Sequence, residues 1–465
     1  MSRLGTKDRG DGEAWLVEPA RGPLRGVARL PGSKSLTHRA LALAAIAEGM
    51  SVIDGALDAE DPRRFIAALE LLGVEVRREG PPGSPASRLA VLGTSGRLDG
   101  GATLDLGESG TGARVMMALA TLASGPVRID GAEGLRRRPM QDGIAILRSL
   151  SATIRESGDA GRLPLEVSGG GLRGGRIAVG ETASSQFLSA CLLVAPATSQ
   201  GVELILTSPP TSGPYLWMTL RVLREAGLSV ELDRDLPREG SPADGPTRIH
   251  VPRQPINARA WSIEPDASSA VFLAAAAAIV PGSSILIERL QRSGGQPDAA
   301  AIDALAGMGA TVEWTTRGVR IDAPAELRGI TLDASGCPDA VPALAAVAAC
   351  ASTPSRLVGL ATLRVKESDR IDAIAEGMRA CGVGVEVGPD WLTITPRSMP
   401  PTPAMVDPRA DHRIAMAFAV LGLRREGLAV LDPACVGKSD PGFWDRLDAV
   451  RTGRRCEEFS PESRP

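Results

Sequence analysis

Pro31-Gly32-Ser33-Lys34-Ser35-Leu36-Thr37-His38-Arg39, running on into Ala40-Leu41-Ala42-Leu43-Ala44-Ala45-Ile46-Ala47, decides how the rest of the chain is read. Pro-Gly ends an extended segment, and Ser33 or Ser35 can cap the helix that the Ala/Leu run then forms. A helix N-terminus carries unpaired N–H groups and a partial positive charge, so it attracts anions. Lys34 and Arg39 add two full charges and a guanidinium fork at the same place. The local reading is a pocket for a phosphate or a carboxylate. From this stretch alone, a capped helix with two exposed basic residues is the commoner reading; recurrence changes the balance.

The design recurs five more times: a short cluster of Ser, Thr, Asp, Gly or Pro, usually with a charged residue, and then an Ala/Leu-rich helix. The later starts are Ser109-Gly110-Thr111-Gly112-Ala113-Arg114, Ser184-Ser185-Gln186-Phe187, Asp266-Ala267-Ser268-Ser269, Pro338-Asp339-Ala340 and Asp411-His412-Arg413. They follow one another at roughly 70 to 80 residues, the scale of a supersecondary unit. Between them, 65–76, 218–230, 301–312 and 371–387 each read as an amphipathic helix, a terminal Gly and a strand. The Ala/Leu helices are too apolar for a solvent face and must be walled in by sheets and outer helices. The chain therefore reads as α/β (α+β), two similar domains of three units each, every unit holding a buried helix. The Pro- and Arg-rich stretch 237–255 is the expected crossover. That gives a domain over 32–253, a second over 14–31 plus 254–450, and loose charged tails at 1–13 and 451–465. Residues 14–30 are expected to pair with the second half.

Composition bounds the function. A net charge of -3 and 3% aromatic residues exclude general nucleic-acid binding, which needs a basic field or a stacking surface. The longest apolar run, 270–280, is too short to span a bilayer, and 1–13 lack the apolar core of a signal peptide. Six scattered cysteines without a Cys-x-x-Cys pair suit a reduced cytoplasmic protein and no zinc framework.

The charged residues at and near the helix starts are Lys34, Arg39, Arg114, Arg138, Lys366, Arg370, Arg413 and Lys438. The carboxylates Asp339 and Glu367 and the neutral donors Ser35, Thr111, Ser184, Ser185 and Gln186 join them. If the six starts converge, they bind several anionic groups and hold two acids able to move protons. Each also has a plainer reading. Lys366-Glu367-Ser368-Asp369-Arg370 is equally a helix start laced with ion pairs, and Asp339 equally a cap. Arg136-Arg137-Arg138 would ordinarily be a solvated loop, and His412 a hydrogen-bonded structural histidine. The Gly437-Lys438-Ser439 run is no phosphate loop, because Asp432 stands where that motif needs Gly.

Taken in order, these stretches resemble the EPSP synthase (3-phosphoshikimate 1-carboxyvinyltransferase) family over nearly the whole chain. The resemblance rests on Pro31-Gly32-Ser33-Lys34-Ser35 with Arg39, Ser109-Gly110-Thr111 with Arg114, Arg138-Pro139, and Ser184-Ser185-Gln186-Phe187. It continues through Ser212 with Tyr215, Pro338-Asp339-Ala340, Arg364-Val365-Lys366-Glu367-Ser368-Asp369-Arg370 and Asp411-His412-Arg413. It implies βαβαββ units with parallel buried helices, a cleft that closes on substrate, and enolpyruvyl transfer from phosphoenolpyruvate to the 5-hydroxyl of shikimate 3-phosphate. Lys34, Ser35, Arg39, Ser184, Ser185, Gln186, Ser212, Asp339 and Lys366 would hold shikimate 3-phosphate. Lys34, Gly110, Arg138, Gln186, Arg370, Arg413 and Lys438 would hold phosphoenolpyruvate. Asp339 would accept the hydroxyl proton, Glu367 would protonate the enol carbon, and Lys34 and Lys438 would neutralise the leaving phosphate. No metal or organic cofactor is implied, and a monomer is expected.

Two positions depart from the family pattern. Glu108 replaces the usual Asn, so a carboxylate stands beside an anion site and either points away or is neutralised by an Arg. Thr362 replaces a frequent Asn. Gly110 is unsubstituted, which implies sensitivity to glyphosate. The related UDP-N-acetylglucosamine enolpyruvyl transferases carry a reactive Cys that the loop 125–143 lacks, and an Asn where this chain has Ser35. A non-catalytic anion binder on the same scaffold would not need both acids.

Overall fold

The inner helices begin where the polar clusters place them. A computed structural model describes residues 3–4, 14–80, 88–237, 245–397 and 403–453. In it the inner helices are Lys34–Ile46 (α1), Gly110–Ala120 (α2), Gln186–Val194 (α3), Ala267–Ile279 (α4), Val341–Ala349 (α5) and His412–Gly422 (α6). Short polar side chains cap four of them. Ser33 accepts from the Leu36 N–H, Ser109 from Gly112, Asp266 from Ser269 and Asp411 from Arg413. α5 starts differently, from a 3-10 turn over Pro338–Ala340, and no side chain caps it. Asp339 is therefore not a cap.

Helices of this length are marginal in water, so burial must hold them. All residues of α4 except Ser268 are buried, and α5 and α6 are buried throughout. Alanine keeps the three helices of each unit close enough to touch pairwise: α1, α2 and α3 in one, α4, α5 and α6 in the other. The outer helices are amphipathic, as their spacing predicts. Glu60–Leu71 turns Phe65, Ile66, Ala68 and Leu69 inward, and Arg370–Ala380 does the same with Ile371, Ile374 and Met378. At about 1.5–3 kcal/mol per buried large side chain, such a face outweighs the weak helix propensity of a short segment. Each of these helices gives way to its strand at a glycine of positive φ, Gly73 and Gly382.

Six four-stranded sheets enclose the helices in one repeated order. Among the described residues, an edge strand lies parallel to its neighbour and two antiparallel strands follow. In five of the six an outer helix links neighbour to far edge, while in the sixth the neighbour Leu428–Leu431 is followed by Phe443–Thr452 and the far edge is Arg3–Leu4. Thr103–Asp105, Val127–Asp130, Leu165–Val167 and Ile154–Glu156 form one example, with α2 joining the parallel pair. The chain divides into a continuous unit, Gly32–Ile263, and a discontinuous one, Met1–Pro31 with Glu264–Pro465, each around its own core.

Three boundaries differ from the sequence reading. The crossover falls after Ile263, not in 237–255, because Arg248–Val251 pairs with Val202–Leu206 and Ala260–Ser262 pairs in parallel with Glu48–Asp54. Residues 254–263 thus belong to the continuous unit; 238–244 lie outside the described residues. Within 1–13, Arg3–Leu4 are no loose tail but a strand on Ala14–Leu16, which itself pairs with Leu428–Leu431. Arg25–Ala28 lies parallel to Ser284–Glu288, so residues 14–30 supply strands to the discontinuous unit. At the other end, Arg451 and Thr452 finish the helix Phe443–Thr452, and Arg451 pairs with Glu18 at 2.9 Å; 454–465 lie outside the described residues.

Candidate active site

In the continuous unit the first turns of α1, α2 and α3 carry the expected residues. Gly32 is required by close approach: a Cβ there would lie 1.9 Å from the Gly55 carbonyl oxygen. Lys34 opens α1 and is buried, with its ammonium 3.0 Å from Asp61 in the first turn of Glu60–Leu71. Arg39, one turn on, is also buried. Its Nε donates to Thr219 Oγ1 at 2.8 Å, Nη1 to the Ser35 carbonyl at 2.9 Å, and Nη2 to the Tyr215 carbonyl at 3.1 Å and Ser189 Oγ at 3.5 Å. Burial lowers this guanidinium to about 10. Arg39 thus braces the turn Ser212–Tyr215 against α1 and α3. The same turn is held from α3 by Ser185 Oγ, which donates to the Ser212 carbonyl at 3.3 Å.

Arg114, on the second turn of α2, donates to Gln186 Oε1 at 2.6 Å and lies 4.9 Å above the Phe187 ring. Gln186 Nε2 returns a bond to Thr111 Oγ1 at 3.1 Å, so α2 and α3 present one connected polar end. Ser184 accepts from the Gln186 N–H at 3.3 Å. The Arg136–Arg138 run divides in two. Arg136 and Arg137 pair on the surface with Asp130 and Glu133, while Arg138 is buried with its guanidinium against Gly110. A Cβ on Gly110 would stand 2.3 Å from Arg138 Nη1. Glu108 accepts from the Gly134 N–H at 3.1 Å, at the start of the short helix that leads to Arg138. Its carboxylate points into that loop.

In the discontinuous unit the cations and carboxylates interlock around Arg370, which is 1% exposed. Its Nε lies 2.7 Å from Asp411 Oδ2, Nη1 2.7 Å from Asp339 Oδ1 and Nη2 2.9 Å from Glu367 Oε2. Lys366 and Arg413 also reach Asp339, at 3.2 and 3.3 Å, and Lys438 reaches Glu367 at 3.2 Å. Both readings of the 366–370 run hold here: Glu367–Arg370 is a local ion pair, and it is also part of the cluster. Burial alone would raise the Asp339 carboxyl, but Arg413, Lys366 and Arg370 outweigh it and hold the group well below the carboxylate range. Burial likewise works against the charge of Arg370, and Asp411, Glu367 and Asp339 reverse it and raise its pKa. His412 is buried on α6 with Nδ1 3.9 Å from Asp411. The Thr362 hydroxyl is buried and, among the described residues, without a hydrogen-bond partner.

Chemically, one unit holds arginine forks and small donors suited to phosphate and carboxylate. The other holds two carboxylates fixed on opposite arms of one guanidinium. Sequence reasoning missed Asp61 as the partner of Lys34, and the Ser189–Thr219 pair that carries Arg39. Neither carries a local signal, since Asp61 reads as an ordinary acid in a helix's first turn. Asp411 was legible only as part of a helix start; it both caps α6 and anchors Arg370. Among the described residues, no group of three or more His, Cys, Asp or Glu is placed to hold a metal ion, and no helix is long and apolar enough to cross a membrane.

Known proteins bear on this arrangement. The family model described as EPSP synthase (3-phosphoshikimate 1-carboxyvinyltransferase) matches residues 19–447. A 3-phosphoshikimate 1-carboxyvinyltransferase of Methanoculleus marisnigri is 40% identical over 429 residues, covering 92% of this chain and 97% of the relative. One from Syntrophobacter fumaroxidans is 38% identical, covering 94% and 99%. Among solved structures, EPSP synthase from Acinetobacter baumannii superposes with a TM-score of 0.75 at 27% identity, covering 94% and 97%. The enolpyruvyl transferase NikO from Streptomyces tendae superposes at 0.69 with 17% identity, over 94% and 98%, a likeness of fold.

Proposed function

The chain belongs to the EPSP synthase family, and from that premise we propose how its residues carry the family's reaction. It transfers the enolpyruvyl group of phosphoenolpyruvate to the 5-hydroxyl of shikimate 3-phosphate and releases phosphate, a step of aromatic amino-acid biosynthesis. The observation that carries the site assignment is the placement of Asp339 and Glu367 on the two arms of Arg370. Addition needs one group to take a proton from the hydroxyl and another to give one to the enol carbon, and two rigidly spaced acids supply both.

Shikimate 3-phosphate is held by Lys34, Ser35, Arg39, Ser184, Ser185, Gln186, Ser212, Asp339 and Lys366. Phosphoenolpyruvate is held by Lys34, Gly110, Arg138, Gln186, Arg370, Arg413 and Lys438. Arg39 serves mainly by bracing the Ser212–Tyr215 turn, given the four bonds that occupy it. In the free protein Asp339 is a weak base, because three cations favour its ionised form. Anionic substrates change this. Phosphate and carboxylate draw Arg413, Lys366, Arg370 and Lys438 toward themselves, and each cation withdrawn raises the proton affinity of the carboxylate it leaves. Asp339 then accepts the hydroxyl proton as the oxygen bonds to C2, and Glu367 protonates C3. Elimination returns the C3 proton to Glu367 and breaks the C2–O bond to phosphate, which takes up the proton held by Asp339 and whose remaining charge Lys34 and Lys438 neutralise. The chain works as a cytoplasmic monomer.

Phosphate release from phosphoenolpyruvate, measured with shikimate 3-phosphate and separately with UDP-N-acetylglucosamine, tests the reading. Release with the first acceptor alone is expected. Release with the second alone would reassign the acceptor, and release with neither would leave an anion-binding role.

A further inference from the structure

Asp298 was not singled out by any motif, yet it is a carboxylic acid 1% exposed beside the proposed proton acceptor. It stands at the N-terminus of the helix Ala299–Gly307, at the end of a turn docked on the start of α4. In that turn Gln296 accepts from the Ala267 N–H at 3.1 Å and donates to the Pro265 carbonyl at 2.8 Å and to Glu264 at 3.1 Å. Asp298 accepts from the Ser268 hydroxyl, the α4 position that escapes full burial. The Pro338–Ala340 turn bearing Asp339 packs against the same helix, and α6, bearing Arg413, packs along it.

Groups on three elements act on Asp298: Asp339 from the 3-10 turn, the cationic Arg413 from α6 and Asp266 from the α4 cap. Cys337 lies in the same field with its thiol pushed up by burial, and so stays neutral. Arg413 answers to Asp339, Asp298 and Asp266 together. Burial and the Asp339 charge push Asp298 up to about 6, while Asp339 is driven down. Neighbouring carboxyls pushed in opposite directions mark a division of acid–base labour.

We propose that Asp298, seated on Ser268 at the start of α4, is a positioning residue that shares the field of Arg413 with Asp339 and sets how strongly Asp339 draws the proton of the attacking hydroxyl. When Asp298 is ionised, its charge offsets Arg413 and raises the proton affinity of Asp339. When it is protonated, Arg413 acts on Asp339 undiminished and the base is weaker. The inference rests on the enolpyruvyl-transfer reading.

The test is kcat and KM for both substrates from pH 5 to pH 8, in the full chain and in Asp298→Asn and Asp298→Glu. Substrate phosphates titrate near pH 6 as well, so the difference between variant and unmodified chain carries the result. Asp298→Asn should lose the part of the kcat rise that belongs to Asp298, falling about five- to tenfold at pH 8 with KM for phosphoenolpyruvate no higher. Asp298→Glu should restore the rise. Superimposable profiles would overturn the proposal, as would an equal loss at every pH with raised KM and a lower Tm. Should Asp298→Asn fail to fold, Ser268→Ala removes the donated bond and should move the limb to higher pH; an unmoved limb counts against the idea. An unmodified chain that releases no phosphate fails the underlying reading, and this inference with it. Turnover with an unchanged Asp298→Asn fails the inference alone.

Discussion

Apart from Lys34, which pairs with Asp61, the two units hold their site cations by different means. In the continuous unit, Arg39 and Arg114 are gripped by hydroxyls, carbonyls, an amide and a ring face. In the discontinuous unit, Arg370, Arg413, Lys366 and Lys438 are gripped by carboxylates. Neutral dipoles position a charge without cancelling it, so the first arrangement keeps its field for an incoming anion. Ion pairs cancel the field and store it in bonds that a substrate must exchange. On the proposed reading the first serves as a receptor and the second as a proton-handling device whose strength depends on occupancy.

The sharpest break in this comparison is Arg370→Met. It leaves Asp411, fully buried, with Asp339 and Glu367 around a missing charge, and should cost about 3–5 kcal/mol of stability and abolish turnover. Denaturant unfolding alongside activity checks it, and a variant as stable as the parent would mean that the cluster is not interlocked. Glu367→Gln keeps shape and removes the proton; kcat should fall about 10²–10⁴-fold with KM for shikimate 3-phosphate little changed. Gly110→Ala probes the receptor side. Its Cβ would push the Arg138 guanidinium, so KM for phosphoenolpyruvate and the glyphosate concentration for half inhibition should rise about tenfold or more while kcat persists. Unchanged turnover in millimolar glyphosate at limiting phosphoenolpyruvate would count against that pocket. Arg39→Lys loses the fork to Thr219 and Tyr215 and should cost about 1–2 kcal/mol, less than any change at Arg370.

A further effect is one of pH. The folded Asp339 pKa lies below its unfolded value, so its stabilising contribution is complete above the ordinary carboxylate pKa and is lost as pH falls through the folded value. Asp298 has the opposite sign. Its pKa is raised to about 6, so folding becomes less favourable as pH climbs from about 4 to 6 and is unaffected by it beyond. Asp339→Asn should flatten the acid limb of stability, and Asp298→Asn should flatten the slope above it.

Much of this was written locally in the chain. Ser33, Ser109 and Asp266 cap helices as short polar residues do, and Ala-rich runs fill the space between sheets. The outer helices end where Gly permits positive φ. What stayed illegible depends on distance. The 248–251 strand lies in a stretch whose Pro and Arg content reads as linker, and its pairing with Val202–Leu206 decides the boundary. Arg138 looked like the third residue of a solvated run until Gly110 made room for it. Asp298 and Asp61 carry no pattern of their own; their meaning comes from Arg413 and Lys34, which only the folded chain brings near.

The strand Arg25–Ala28 has a consequence for how the protein is made. Its sheet partner Ser284–Glu288 is encoded 259 residues later, with an entire globular unit in between. At a synthesis rate of about 5–20 residues per second, the nascent N-terminus waits on the order of tens of seconds as an unpaired edge while Gly32–Ile263 emerges. The ribosome thus delivers the continuous unit complete and the other one open at both ends. Birth order completes Gly32–Ile263 first and the discontinuous unit last.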